Sequence, residues 1–240
     1  MRLRLKGFMD MSLVDWDGHV VCVLFTPGCN FRCPFCYNTE LVLRPHELPD
    51  IPLQKVIDYL ENDGWAIDGV AITGGEPTLW PDLPELCAVF KEMGLGVKLD
   101  TNGTSPEMLE RLVGSRLVDY VAMDVKAPLT PDKYSAACGV DARPFLPRVR
   151  RSIAFLLRSG SVDYELRTTV VPTLHEPGDI RAICEAIRGC RRYVLQAFRP
   201  LGPTIDPAFS SLKPLTEEEL KPFFEEAVEV LGQGKVKLRA

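Results

Sequence analysis

The sequence predicts an α/β fold, an open partial (β/α)6 barrel of the TIM type, with a cysteine-bearing loop after the first strand. Three observations predict it. Short apolar runs alternate with amphipathic segments, which argues for a parallel sheet with crossover helices. About six βα units can be counted, too few to close an eight-stranded barrel. The polar clusters fall just after the predicted strands, the end at which barrel folds build their sites.

The elements follow from periodicity and punctuation. His19–Phe25 reads as the strand that delivers the cysteines. Leu53–Leu60 has apolar residues at helical spacing, and Gly64 marks its end. Gly69–Ile72 is a strand, Leu83–Met93 a helix closed by Gly94, and Gly96–Leu99 the next strand. Pro106–Val113 is helical and Leu117–Met123 extended; Pro147–Arg158 is helical, Tyr164–Val171 extended, Ile180–Ile187 helical and Tyr193–Phe198 extended. The Pro- and Ser-rich stretch Pro200–Pro214 reads as a loop. Thr216–Leu231 is a terminal helix, since Thr216 with Glu219 three residues on forms a capping-box pattern. Lys235–Leu238 adds a short closing strand. No repeat or linker divides residues 1–240, which read as a single domain.

Composition narrows the function. Apolar residues make up 46% of the 240, enough for a sizeable core. There is no apolar run of membrane-spanning length, and no apolar stretch follows the basic start Met1-Arg2-Leu3-Arg4-Leu5-Lys6. A cytoplasmic protein without membrane partners is expected. The net charge of −5 argues against a nucleic-acid binder. Of eight cysteines, Cys22, Cys87, Cys138, Cys184 and Cys190 are scattered without a disulfide framework and read as reduced, buried residues.

The other three carry the chemistry. Cys29, Cys33 and Cys36 have the spacing C-x3-C-x2-C. Three such thiolates can hold three irons of a 4Fe–4S cube and leave the fourth iron open to a ligand, whereas four are the usual number. Spacing alone leaves open a zinc site completed by His19 or His46, or simple burial. Thr73-Gly74-Gly75-Glu76-Pro77 follows a strand, and its paired glycines let a ligand approach the backbone. Asp100-Thr101-Asn102-Gly103 and Asp124-Val125-Lys126 end the next two strands; the acids can hold a cation or hydroxyls, and Lys126 can pair with a carboxylate. Arg167 lies in the strand before Pro172, and Gln196 and Arg199 lie in Gln196-Ala197-Phe198-Arg199-Pro200-Leu201-Gly202. His19, His46 and His175 show no ligand spacing, and Trp16, Trp65 and Trp80 read as packing residues.

The cysteine run, with Phe35 as the aromatic before Cys36 and Tyr37 after it, resembles the radical S-adenosylmethionine (SAM) signature. The resemblance implies a cluster with an open iron that chelates SAM, with the Gly-Gly-Glu-Pro segment binding SAM's amino group. The two Asp motifs resemble those of glycyl-radical-enzyme activating enzymes. In that branch Asp100, Thr101 and Asp124 would border a monovalent cation, and Lys126 and Arg167 would contact SAM. At Arg199 the pyruvate formate-lyase activators have a histidine instead. The segment Met11–Gly18, with Phe25–Pro34 and the Gln-x-Phe-Arg-Pro run, resembles the activating proteins of anaerobic ribonucleoside-triphosphate reductase. The implied partners are a glycyl-radical enzyme and a flavodoxin or ferredoxin as electron donor. Two rivals stand beside this: a radical SAM enzyme acting on a small molecule, such as a 7-deazaguanine precursor, or on a nucleic acid; and a non-catalytic metal-binding scaffold or sensor.

Overall fold

Each run expected to be extended forms a strand, and one further strand precedes them. The computed structural model describes residues 3–239. The strands are β1 (Gly7–Ser12), β2 (Val21–Thr26), β3 (Gly69–Gly74), β4 (Gly96–Thr101), β5 (Tyr120–Asp124), β6 (Asp163–Val170), β7 (Tyr193–Ala197) and β8 (Val236–Arg239). They form one eight-stranded sheet in chain order. β1 is antiparallel to β2, and every later pair is parallel. β1 and β8 are both edges, so the sheet does not close.

Helices α1 (Thr39–Leu43) and α2 (Leu53–Asn62) connect β2 to β3, and α3 (Leu83–Glu92) connects β3 to β4. α4 (Pro106–Gly114) precedes β5; α5 (Pro131–Cys138) and α6 (Leu146–Arg158) precede β6; α7 (Pro177–Ala186) precedes β7. α8 (Pro207–Ser210) and α9 (Glu217–Leu231) lead to β8. The capping box of α9 forms as expected: Glu219 N–H donates to Thr216 Oγ1 at 3.2 Å and Thr216 N–H to Glu219 Oε2 at 2.8 Å.

Period-two alternation gives the sheet two different faces. Cys22 and Leu24, Val70 and Ile72, Val97 and Leu99, and Val121 and Met123 join the main core on the helical side. The concave side starts with a small apolar cluster of Trp16, Val21, Val23, Ala71, Tyr120 and Ala122. Trp16 plugs this end: a Cβ on Gly69 or Gly96 would lie 3.0 or 3.1 Å from its ring. Further along the same face come Lys98, Asp100, Asp124, Glu165 and Arg167.

β1, α1 and α5 were not expected, nor was α8, which falls inside the stretch read as a loop. In β1, Phe8 packs edge-to-face on Tyr59 of α2 at 5.5 Å, whereas Met9 and Met11 face the open side and stay exposed. Apolar residues on both faces leave no alternation to read. α5 carries little amphipathic pattern because it has only eight residues and its buried face is just Tyr134, Ala137 and Cys138.

Trp16→Ala should lower stability by about 3–5 kcal/mol, the usual range for emptying a buried tryptophan site. Trp65, 92% exposed, should change it by less than about 0.5 kcal/mol when cut to alanine. Urea midpoints of the two variants check the contrast.

Candidate active site

The cysteine loop leaves β2 and is tied down along its length. Gly28 N–H donates to Leu41 O, and Gly28 O accepts from Glu76 N–H, both at 2.8 Å. Arg32 N–H donates to Cys138 O, at the end of α5, at 2.8 Å. The adjoining Gly139 has φ 69°, and a Cβ there would lie 1.9 Å from Arg32 O, so only glycine lets the loop pass. The 200–214 stretch is more than a connection: Ile205 and Asp206 N–H donate to Cys36 O (3.1 Å) and Pro34 O (3.0 Å). Phe35 is buried edge-to-face against Phe198 at 6.3 Å, which anchors the loop from inside. Tyr37 is half exposed at the mouth, its hydroxyl within electrostatic reach of Cys36, Arg167 and Asp100.

Cys33 is buried, Cys29 and Cys36 are partly buried, and all three are free thiols. Burial pushes Cys29 up to about 11 and Cys33 up to about 12, and raises Cys36, while Lys126 pulls all three the other way. Phe31 N–H donates to Cys29 Sγ at 3.3 Å and Asn102 Nδ2 approaches it at 3.8 Å. Among the described residues no three His, Cys, Asp or Glu converge on one ion position. His19 instead pairs with Asp68 at 3.0 Å beside Trp16, and His46 is exposed, so neither completes a zinc site. The three cysteines lie within electrostatic reach of Lys126, and thiolates are the ligands that a 4Fe–4S cluster takes.

The paired glycines have a packing reason. Gly74 has φ 115°, and a Cβ on it would lie 2.4 Å from Thr26 N; one on Gly75 would lie 1.8 Å from Gly28 O. The β3 loop rests directly on the start of the cysteine loop. Gly75 N–H donates to Thr26 O at 2.9 Å, and Glu76 N–H is held by Gly28. The donors are engaged, while carbonyls such as Gly74 O, which accepts from Asn38 Nδ2 at 3.2 Å, keep a second lone pair. This segment therefore suits a ligand's amine and not its carboxylate.

Glu76 points inward. Its carboxylate accepts from Thr78 N–H and Thr78 Oγ1, from Thr101 Oγ1 at 2.7 Å and from Asn102 N–H at 2.6 Å. Burial pushes its carboxyl up, against these hydrogen bonds. Thr101 Oγ1 also accepts from Gly103 N–H at 3.1 Å. Asn102, which the motifs did not single out, donates to Asn30 Oδ1 at 2.9 Å and accepts from Thr104, joining the β4 loop to the cysteine loop.

Behind the cysteines lies a layer of charge. Asp124 accepts from Arg167 Nε at 2.9 Å and from Lys126 Nζ at 2.8 Å. Asp100 accepts from Lys98 Nζ at 2.5 Å and from Arg167 Nη1 at 3.4 Å. Burial opposes ionisation of both acids, but the Arg167 cation and the lysines outweigh it, holding Asp100 low and Asp124 at about 2. Each of the four carboxylate oxygens thus already faces a cationic nitrogen, and the Thr101 hydroxyl is engaged. A further cation at the expected monovalent-cation ligands would lie against these ammonium and guanidinium groups. His175 supports this layer: its Nδ1 accepts from Val171 N–H at 3.0 Å and its Nε2 bonds Lys126 O at 2.8 Å. Burial keeps its ring below the usual imidazole range, in the neutral form that this pairing needs. Gln196 is half-buried and pairs in register with Arg239. Arg199 is exposed and makes no ion pair among the described residues.

Glu76→Gln keeps the shape but turns an amide N–H2 toward donors. It should lower stability by about 1–3 kcal/mol and reduce the iron bound on reconstitution, read from urea midpoints and iron content. The acid pair sets a pH limit. Both acids titrate below the 3.8 of an unrestrained Asp, so their stabilisation is complete above that value and is lost as pH falls through the folded value. For Asp124, falling from 3.8 to about 2, the loss is about 2 kcal/mol. Asp124→Asn should flatten this acid limb in urea unfolding.

Comparison with known proteins agrees with this geometry. The Radical SAM superfamily model matches residues 23–179, more than half of the chain. A Methanocaldococcus jannaschii protein provisionally named a glycyl-radical enzyme activating enzyme is 33% identical over 222 residues, 92% of this chain and 90% of its own length. A second protein of that organism, provisionally given the same name, is 30% identical over 75% of this chain and 68% of its own length. Among solved structures, TYW1 with a lysine–pyruvate adduct superposes with a TM-score of 0.63 at 18% identity, covering 88% of this chain and 73% of its own; at that identity the likeness is one of fold. The loop of Cys29, Cys33 and Cys36 docked on Gly74-Gly75-Glu76, at the open mouth of a partial barrel, belongs to a member of the radical SAM superfamily.

Proposed function

We propose that this chain is an activating enzyme that cleaves SAM reductively and places a radical on a glycine of a partner protein. One observation carries the proposal: the three cysteines, the carbonyls of Gly74 and Gly75, and the Asp124–Lys126–Arg167 layer all meet at one end of the sheet. Cys29, Cys33 and Cys36 would hold the 4Fe–4S cluster. When bound, a reduced cluster supplies the electron that cleaves the sulfonium of SAM to methionine and a 5′-deoxyadenosyl radical, which takes a hydrogen from the partner's glycine. The carbonyls of Thr73 to Gly75 accept the hydrogens of the ligand's amine. Lys126 and Arg167, fixed by Asp124, present positive charge to its carboxylate. The strap at Ile205–Asp206 and the buried Phe35 keep the thiols in place.

The relatives named for glycyl-radical activation support a glycyl-radical enzyme as partner. Within that class an anaerobic ribonucleotide reductase is favoured by the resemblance of Met11–Gly18 and Gln196–Gly202. Flavodoxin or ferredoxin is the proposed electron donor.

The test is anaerobic. The protein is reconstituted with iron and sulfide, reduced with dithionite and given SAM, and 5′-deoxyadenosine is quantified. Product that falls to background in Cys33→Ala supports SAM cleavage, and a glycine-centred electron paramagnetic resonance doublet on an added reductase supports the partner. Cleavage with turnover of a small molecule and no protein radical would move the chain to a small-substrate enzyme. No product from a fully loaded protein, with reductase present, would end the enzymatic reading.

A further inference from the structure

Lys98 takes no part in the proposed chemistry, yet it is among the most buried charges of the protein. Its side chain is 3% exposed. Lysine is almost never buried to this degree unless it is paired. It stands two residues before Asp100 on β4, so the period of the strand puts both side chains on the concave face. The ammonium lies 2.5 Å from Asp100 Oδ1.

We propose that the Lys98 ammonium is the resident cation of this barrel, and that the protein binds no sodium or potassium ion beside Asp100 and Asp124. The positions left to an incoming ion support this. Asp100 Oδ2 and Asp124 Oδ1 face Arg167, at 3.4 and 2.9 Å, and Asp124 Oδ2 faces Lys126 at 2.8 Å. The Thr101 hydroxyl donates to Glu76 and accepts from Gly103, so it is held by groups other than the two acids. Lys98, Lys126 and Arg167 stand against Asp100, Asp124 and the buried Glu165, which Arg239 also pairs, so the acids of this face are already matched by cations. A metal ion would add a positive charge to a buried layer whose acids are already paired with cations, and Coulomb repulsion from those cations is strong in such a place. A hard cation also needs several oxygen ligands to replace its water, and here it would share each carboxylate oxygen with a cationic nitrogen. A tethered ammonium supplies the same charge without a binding equilibrium, so its occupancy is independent of the salt in solution.

The test compares potassium, sodium and tetramethylammonium chlorides at equal ionic strength. The wild-type unfolding midpoint should agree within about 1 °C in all three, because no ion binds the folded state preferentially. Lys98→Ala opens an ion-sized space beside Asp100 and leaves that carboxylate undercompensated. Its midpoint should fall by roughly 6–20 °C in tetramethylammonium and should recover in part with potassium or sodium. A saturable rise of the wild-type midpoint with either metal ion would overturn the proposal, as would a Lys98→Ala midpoint indifferent to both. If Lys98→Ala does not fold, the wild-type comparison decides alone. A second readout, SAM cleavage by the loaded wild type, should differ by less than about twofold among the three salts, and a strict requirement for one metal ion would also overturn it. Only that readout rests on the proposed function. A chain that cleaves no SAM fails the functional proposal while its unfolding midpoints still decide the role of Lys98.

Discussion

The buried carboxylate of Glu76 is the contact on which the site depends. A carboxylate placed in an apolar core without partners would be too unfavourable to keep. This one is satisfied by Thr78, Thr101 and Asn102, so it fastens the end of β3 to the end of β4. Its own backbone N–H holds Gly28, and Asn102 holds Asn30 and approaches Cys29. One side chain therefore sets the positions of three consecutive parts of the mouth. The geometry around the cysteines is inherited from strand register and owes little to the loop's own preferences.

An open sheet permits a polar interior that a closed barrel of this size would fill with apolar side chains. The concave face changes character along its length. Near Trp16 it is apolar; in the middle Glu165 bonds the Tyr120 hydroxyl at 3.0 Å and pairs with Arg239 at 3.2 Å; at the mouth lies the Asp100–Arg167–Asp124 layer. Arg167 bridges both acids, and a planar guanidinium does this better than an ammonium because its donors diverge in a fixed plane. Replacing it with lysine would leave one of two buried carboxylates without its partner.

Much of this was legible from residue order. β2, β3, β5 and β7 showed as apolar runs because buried parallel strands leave a continuous signal, whereas in β4, β6 and β8 charged residues alternate with apolar ones. The three cysteines were readable because their spacing is local. The supports were harder to see. The straps at Cys138 and Ile205 use backbone groups, which carry no residue signature, and they join segments more than a hundred residues apart. Lys98 looked like one of many lysines, since only the fold shows that it points inward. The glycines at 74 and 75 were read as clearance for a ligand, but loop packing already demands them. His175 has no spacing relation to another ligand, because its role is to brace Lys126 O and Val171 N–H.

The cations of the buried layer bear on how a cluster can be held. The empty thiols are pushed toward neutrality by burial, and only thiolates bind iron, so loading must release protons. Lys126 faces both Asp124 and the cysteines, and it favours the thiolate at all three positions. Its charge is fixed before any metal arrives, because Asp124 holds its ammonium and His175 its backbone. The layer therefore acts as a preorganised counter-charge beneath the anionic thiolates. Neutralising Asp124 would free Lys126 to move while adding net positive charge, and removing Lys126 would leave thiolates and Asp124 facing one another. The arrangement is balanced only with all five charged side chains in place. The carboxylates are thus needed to position the cations, and the cations to make the cysteine loop a place where sulfur can be ionised.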